Sequence, residues 1–175
     1  QETPPTPGQD KKDPQVIPIA LGLLSPNGDE VQPTTILEMT QAEQSFSFSG
    51  LGSRPIPSIL RGFSAPVILE REQSSEEQAF LLAHDTDPFN KWEAGQMLAR
   101  DVLLGMIEKG ETDDKGYIDA LRRALRDESL DPAFRAKLLA LPTEEALAIA
   151  LAARGVVPDP DLIHEQREAF RFSIA

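Results

Sequence analysis

Short apolar runs of strand length, separated by turn residues, dominate the first part of the chain. QSFSFSG (44–50) alternates phenylalanine with serine, which is the two-residue period of a half-buried strand. The runs predicted to be strands are VIPIALGLL (16–24), VQPTTILEMT (31–40), QSFSFSG, PSILRGF (57–63) and PVILE (66–70). About five short strands with turns between them predict a β-sandwich of immunoglobulin-like size.

The connection between the first two predicted strands carries a strong turn signal. Asn27 and Gly28, within SPNGDE (25–30), both tolerate positive φ, so we expect a tight hairpin turn there. Pro33 has no amide hydrogen to donate to a ladder, which predicts that the returning strand starts at an edge of the sheet.

The second part of the chain has the pattern of successive capped helices. Serine, threonine or Asp-Pro caps begin most of them, and Gly110 ends the longest. The predicted helices are SSEEQAFLLAHD (74–85), FNKWEAGQMLARDVLLGMIEKG (89–110), DKGYIDALRRALRD (114–127), DPAFRAKLLAL (131–141), TEEALAIALAARG (143–155) and DPDLIHEQREAFRFSIA (159–175). Their short links predict antiparallel neighbours.

Composition changes near residue 84: ten of the fifteen prolines precede it and fourteen of the nineteen alanines follow it. Because alanine favours helix and the earlier β-branched runs favour strand, we predict an α+β chain in two segments. The first is an immunoglobulin-like β-sandwich domain at 1–74. The second, at 75–175, is the start of an all-α domain of antiparallel helix pairs, truncated at its end.

Charge and cysteine content exclude several classes of function. The net charge of −12 argues against nucleic acid and anionic membranes as partners, because both require clustered lysine and arginine. The absence of cysteine excludes disulfides, thiol nucleophiles and cysteine-ligated zinc. No apolar run is long enough to span a membrane, and no signal-peptide region precedes the first strand. Since Gln1 is not methionine, we expect a processed or cloned piece.

Two short motifs imitate functional sites without meeting their requirements. HEQRE (164–168) has Glu168 where a zinc peptidase helix needs a second histidine, so we expect His164 and Glu168 on an exposed helical face. Gly50 and Gly52 precede Pro55 instead of a third glycine, and no helix follows to hold a pyrophosphate. A loop between strands is the expected structure there.

AHDTDPFNKWEA (83–94) raises the question of a metal site or a proton-transfer pair. Asp87 precedes Pro88 as a helix N-cap, and His84 lies near the negative end of the preceding helix, where a cation is favoured. We therefore predict a junction between the two domains, with no catalytic, metal or cofactor residues of its own. Its predicted residues are His84, Asp85, Asp87, Pro88, Phe89 and Trp92.

Three long stretches resemble the bacterial aminopeptidase N (alanyl aminopeptidase) family of zinc metallopeptidases. They are QETPPTPGQDKKDPQVIPIALGLLSPNGDEV (1–31), TQAEQSFSFSGLGSRPIPSILRGFSAPVILE (40–70) and FLLAHDTDPFNKWEAGQMLA (80–99). The resemblance implies the β-sandwich and the first part of the helical C-terminal domain of such an enzyme. The family's G-A-M-E-N and zinc-binding His-Glu-x-x-His motifs have no matching positions here.

The resemblance also implies that different domains of a parent enzyme have different roles. The parent would use zinc to remove N-terminal residues from peptides, while the present chain would bind no zinc and have no peptidase activity. The sandwich would act as a spacer and the helices would help to cap the catalytic cleft. Implied partners are the catalytic domain and the remaining helical domain of the same parent, with peptides as the parent's substrates, in the bacterial cytoplasm.

One alternative stays open: a free-standing β-sandwich plus helical module that binds a protein partner. The reading frame upstream of Gln1 distinguishes the two, since a His-Glu-x-x-His motif there supports the enzyme. A truncated helical domain should leave an apolar helix face unmatched around Leu147, Ile149 and Leu151. We therefore expect some self-association, which light scattering at several concentrations measures.

Overall fold

The computed structural model describes residues 1–110 and 112–174, and divides into two compact units, Gln1–Arg71 and Glu72–Ala175. The first unit contains β1 (Ile17–Leu24), β2 (Glu30–Met39), β3 (Ile56–Ile59) and a short 3-10 turn at Arg61–Phe63. The second contains α1 (Ser75–His84), α2 (Pro88–Lys109), α3 (Lys115–Leu125), α4 (Pro132–Leu138), α5 (Glu144–Ala153) and α6 (Pro160–Ser173). The predicted order of strands followed by helices is confirmed. The end of the last predicted helix, Ala175, lies outside the described residues.

The sheet of the first unit is antiparallel throughout, in the order β2-β1-β3. β1 supplies most of the core, because Ala20, Leu21, Leu23 and Leu24 are all buried. β2 is an edge strand, and Pro33 lies within it where the register with β1 shifts between Leu21 and Leu23. Pro33 therefore occupies an edge as predicted, but at a bulge inside the strand and not at its start.

The hairpin between β1 and β2 uses one of the two predicted positive-φ positions. Gly28 has φ 96°, and its amide donates to the carbonyl of Ser25 over 2.9 Å. The Ser25 amide in turn donates to the carbonyl of Asp29 over 2.8 Å, which closes a loop of three residues. Asn27 keeps a negative φ, and its side chain bonds Ser25 and Asp29 instead. A three-residue hairpin needs left-handed backbone only at its last position.

Two predicted strands are absent from the described residues. The segment 44–50 and the segment 66–70 form no ladder, and Phe46 and Ile68 are 36% and 91% exposed. An alternating or apolar pattern shows that a segment could lie on a sheet, but a strand also needs a neighbouring backbone to pair with. The described sheet consists of β1, β2 and β3, so the predicted strands at 44–50 and 66–70 are wrong. Gly50 and Gly52 lie in the loop before β3, as predicted.

Arg61 is a buried arginine that joins the two outer strands across the middle one. Its Nε donates to Ser58 Oγ of β3 over 2.9 Å, and its Nη1 donates to Thr34 Oγ1 of β2 over 3.0 Å. The same Nη1 forms an ion pair with Glu30 at the start of β2. The guanidinium passes over Gly22 of β1, where an added Cβ would lie 2.1 Å from Cζ. Glycine at this position therefore makes room for the bridge.

The helix termini follow the predicted caps closely. Ser74, Asp87, Asp131, Thr143 and Asp159 each accept a backbone amide of the first turn. These bonds satisfy amides that have no carbonyl partner inside the helix, which fixes where each helix begins. Gly110 ends α2 in the left-handed conformation, with φ 69°.

α2 is the central helix of the second unit, since it packs against each of the other five helices. The apolar residues of α2 at helical spacing predict one buried stripe of Phe89, Trp92, Met97, Leu98, Val102, Leu103, Met106 and Ile107. Ala94, Gly95, Ala99 and Leu104 are buried as well. Small residues on this side let α1 approach closely, and a Cβ on Gly95 would lie 3.1 Å from Leu82. A helix surrounded by neighbours has no single apolar stripe, which is why the periodicity described only part of its buried surface.

The last two helices bury more of their apolar surface than expected. Leu147 and Leu151 are fully buried, whereas Ile149 is 64% exposed. The unmatched face predicted around these three residues is therefore wrong for the two leucines, which pack toward the unit's core.

Elsewhere in this unit Tyr117 and Phe170 pack ring against ring, 5.3 Å apart. Burial raises the pKa of Tyr117 to about 12. No described helix is long and apolar enough to cross a membrane.

Candidate functional site

The corner between α1 and α2 contains the predicted junction residues and uses two carboxylates as backbone acceptors. Asp85, only 2% exposed, follows the last residue of α1, and its Oδ1 accepts the amide of Asp87 over 3.0 Å. Asp87 Oδ1 accepts the amide of Asn90 over 2.9 Å, and Pro88 is the first residue of α2. The predicted capping role of Asp87 is confirmed. Both aspartates thus fix the path of the chain between two helices.

Lys91 is buried in this corner, with 2% of its surface exposed. Its Nζ donates to the carbonyls of Leu82 and Ala83, both over 3.1 Å. These carbonyls belong to the last turn of α1 and have no donor within that helix. Burial lowers the pKa of Lys91, while the charge of Asp85 raises it. Lys91 therefore caps α1 from the neighbouring helix.

His84 is the last residue of α1, where the sequence placed it. Its ring stacks on Phe80, with 4.7 Å between centroids. Burial is the main cause that lowers its pKa, and the charges of Arg123 and Lys91 lower it further. Lys91 supplies the cation that bonds the carbonyls at this helix end. The predicted favourable charge interaction of His84 with that end stays a prediction.

A pocket of about 470 Å³ opens beside this corner, and all of its walls belong to the second unit. Four basic side chains and two acidic ones line it. We call it the basic pocket, and its lining is Ala83, His84, Asp85, Thr86, Lys91, Arg123, Arg126, Asp127, Ser129 and Leu130. Asp127 Oδ1 accepts both the amide and the hydroxyl of Ser129, at 3.0 and 2.6 Å. Sequence reasoning missed this pocket, because residues 123–130 meet 83–91 only in the folded chain.

The aromatic residues of the predicted junction lie on the first turns of α2. Phe89 and Trp92 are half-buried, with 6.4 Å between their rings, and Lys137 Nζ lies 5.2 Å from the Trp92 ring. All six predicted junction residues belong to the second unit, which begins at Glu72. Their role in joining the two domains stays a prediction.

The second histidine has surroundings unlike those of His84. His164 Nδ1 lies 2.8 Å from Glu144 Oε1, on an exposed face shared by α5 and α6, as predicted. Glu168 pairs with Arg171 over 2.5 Å instead of turning to His164. Within residues 1–110 and 112–174, no three histidine, aspartate or glutamate side chains converge. The described residues therefore contain no donor set of the kind that the zinc of the parent enzyme would need.

Two protein-family models together match almost the whole chain. Residues 1–72 match a domain of unknown function (DUF3458) described as an Ig-like fold, and residues 75–175 match a second domain of unknown function (DUF3458_C) described as ARM repeats. These descriptions confirm the fold class of an immunoglobulin-like part followed by a helical part.

Curated and solved relatives carry aminopeptidase names. The chain is 44% identical over 159 residues to aminopeptidase N of Caulobacter vibrioides, covering 89% of this chain and 18% of that protein. It is 34% identical to aminopeptidase N of Escherichia coli, covering 100% of this chain and 21% of the relative. The crystal structure of Legionella pneumophila aminopeptidase A in complex with aspartic acid superposes with a TM-score of 0.76 at 31% identity, over 92% of this chain and 19% of that one. The chain thus spans about a fifth of the length of its curated relatives.

Proposed function

Because this chain belongs to the aminopeptidase N family, we propose that it is a non-catalytic part of a zinc-dependent enzyme that removes N-terminal residues from peptides. The proposal rests on the fact that the two domains match the aminopeptidases in the same order along the chain. Both domains align in sequence with about a fifth of much longer aminopeptidases. The chemistry of such an enzyme then belongs to another part of the parent chain.

The donor set of the chain supports a non-catalytic role. The histidine nearest to a peptidase motif, His164, is paired with Glu144, and the neighbouring acid Glu168 is paired with arginine. The acids at the α1–α2 corner accept backbone amides. These bonds keep the groups at helix ends and in helix pairs, and within residues 1–110 and 112–174 no three of them converge as a metal site that activates water requires.

Within the parent, the immunoglobulin-like unit acts as a spacer and the helical unit helps to cap the catalytic cleft. A cap must keep its shape to restrict access, and α2 supports this because it packs against all five other helices of its unit. The partners of the chain are then the catalytic domain and the rest of the helical domain of the same parent. The bacterial relatives fit a parent that acts on peptides in the cytoplasm.

An aminoacyl-anilide assay tests the absence of catalysis. The 175-residue chain with added zinc is expected to give no turnover above buffer, beside a full-length parent that hydrolyses the same substrate. Turnover that survives the substitution His164→Gln points to an unrecognised site and contradicts the proposal. Turnover that disappears with His164→Gln also contradicts it, and assigns the activity to the α5–α6 face.

A substrate-length series in the parent enzyme tests the capping role. Trp92→Ala removes a half-buried ring from the first turn of α2. It should raise kcat/KM for long peptides relative to an aminoacyl-anilide, because a looser cap admits larger substrates. The control Phe172→Ala changes a side chain that is already 73% exposed and should leave the ratio unchanged. An unchanged ratio in a folded Trp92→Ala enzyme contradicts the capping role.

A further inference from the structure

The basic pocket differs from the rest of the chain in the balance of its charges. The protein has 29 acidic residues against 17 lysines and arginines, yet around this pocket three lysines and arginines face two aspartates. The pocket lies wholly inside the helical unit and contains no residue that the proposed peptidase role uses. What it binds is therefore a question separate from that role.

Each of the two acids of the pocket accepts hydrogen bonds on one carboxylate oxygen. Asp85 accepts the Asp87 amide and lies beside the buried Lys91, whose pKa its charge raises. Asp127 accepts two bonds from Ser129, and these bonds lower its pKa. Each acid thus has a structural role within its own turn.

Two of the cations have no such role. Arg123 and Arg126, three residues apart near the end of α3, are exposed. Among the residues that the structure describes, neither side chain forms a hydrogen bond or an ion pair. Residues three apart lie on the same side of a helix, so both guanidinium groups face one opening. In so acidic a protein, two neighbouring guanidinium groups without a carboxylate partner mark a local excess of positive charge.

The state of His84 supports this description of the pocket. Burial is the largest cause that lowers its pKa, and the charges of Arg123 and Lys91 lower it further, in agreement with an excess of positive charge on this side of the pocket. Thr86 and Ser129 complete the rim, and the Ser129 hydroxyl donates to Asp127. A concave surface with two planar cations has the chemistry that recognises an oxyanion.

We propose that the basic pocket binds a small oxyanion, a carboxylate or phosphate group, through Arg123 and Arg126. The two guanidinium groups donate to the oxyanion, and the neutral His84 and Ser129 form the walls beside it. Lys91 stays on the carbonyls of α1 and contributes charge without direct contact. The inference does not depend on the proposed peptidase role.

Proton NMR of the 175-residue chain tests this directly, since it contains only two histidines. Acetate and inorganic phosphate are titrated separately against chloride at constant ionic strength. The ring signals of His84 should shift saturably and its pKa should rise, because an anion favours the protonated ring. His164, on α6 and outside the pocket lining, serves as the internal reference and should not shift. Tighter binding of phosphate than of acetate assigns a phosphate-type ligand, and the reverse order assigns a carboxylate.

Matched variants distinguish binding of the anion in the basic pocket from nonspecific electrostatic attraction to the protein surface. Arg123→Gln and Arg126→Gln should each weaken binding by about tenfold, since a hydrogen bond to a charged group contributes roughly that factor. Arg122→Gln removes the same charge from the same helix at an exposed position outside the pocket lining, and should change binding less than about twofold. Equal weakening by Arg122→Gln, or no saturable shift with either anion, overturns the proposal.

Discussion

Among the described residues, each unit of the chain buries a cationic side chain, but the two cations are satisfied in different ways. Arg61 is 5% exposed and bonds side chains of both outer strands of the sheet. Lys91 is 2% exposed and bonds two backbone carbonyls at the end of α1. The bonding of Arg61 therefore depends on the identity of several other residues. The bonding of Lys91 depends mainly on how α1 and α2 cross.

The difference follows from the chemistry of the two side chains. Arginine has five N–H donors in a fixed plane and needs acceptors on several sides. In the sheet, Ser58, Thr34 and Glu30 accept from these donors, and Gly22 leaves room for the guanidinium. The compact lysine ammonium fits the carbonyls that a helix C-terminus leaves without donors. We therefore expect substitutions near Arg61 to be coupled and substitutions near Lys91 to be independent.

The largest effect is expected for Lys91→Met. The apolar side chain leaves two buried carbonyls of α1 without their donor, which should lower the free energy of unfolding by about 3 kcal/mol. Denaturant unfolding followed by Trp92 fluorescence measures it, since this tryptophan lies in the helical unit. Lys109→Met, at an exposed position of the same helix, is the control and should cost less than about 0.5 kcal/mol. Equal effects of the two variants would contradict the capping role of Lys91.

Arg61→Met should be the next in size, at about 2 kcal/mol. The cost is smaller because the Glu30 side chain is 30% exposed and can be hydrated once its partner is gone. Hydrogen exchange of the β1 amides measures the loss, since both the tryptophan and the tyrosine lie in the other unit. Arg54→Met, in an exposed loop of the same unit, should have almost no effect. Protection of β1 that stays at the original level would show that the bridge contributes nothing to the sheet.

Gly22→Ala examines the coupling within the sheet. The new methyl group would occupy the path of the Arg61 guanidinium and displace it from its partners, at a cost of about 1 to 2 kcal/mol. In the Arg61→Met background the guanidinium is absent, so the same substitution should cost much less. Gly52→Ala has no neighbour within 4 Å and serves as the control. Additive losses in the double variant would mean that Gly22 does not serve the bridge.

The two units also differ in how far the sequence predicted them. Helix starts depend on a cap and the next three residues, so Asp87, Asp131, Thr143 and Asp159 were identifiable from local pattern. Strands depend on a distant partner, and the alternation of Phe46 and Phe48 contains no information about whether one exists. This is why 44–50 and 66–70 were predicted wrongly while the local turn at Gly28 was found.

The sequence did not predict the basic pocket or the buried cations, because both depend on residues that are distant in the sequence. One local signal of a buried cation was nevertheless present. Lys91 is followed at helical spacing by Gly95, Leu98 and Val102, all of them buried. A lysine in register with an apolar face indicates a buried cation that needs acceptors from another element. For Arg123 and Arg126 the sequence offers no comparable signal, because a pair of arginines near a helix end is ordinary.

The smallest expected effect concerns the two histidines, whose pKa values move in opposite directions. Burial lowers the pKa of His84 from its ordinary value of 6.5, so its contribution to stability is present above pH 6.5 and is lost as the pH falls through the folded pKa. The hydrogen bond that the His164 ring donates to Glu144 raises the pKa of His164, so its contribution is present below pH 6.5 and is lost as the pH rises through the folded pKa. His84→Gln should therefore make the protein less sensitive to acid between about pH 7.5 and about pH 5.5, and His164→Gln should make it more sensitive. Unfolding followed by Trp92 fluorescence at both pH values measures this, and the same sign of change in both variants would contradict the assignment.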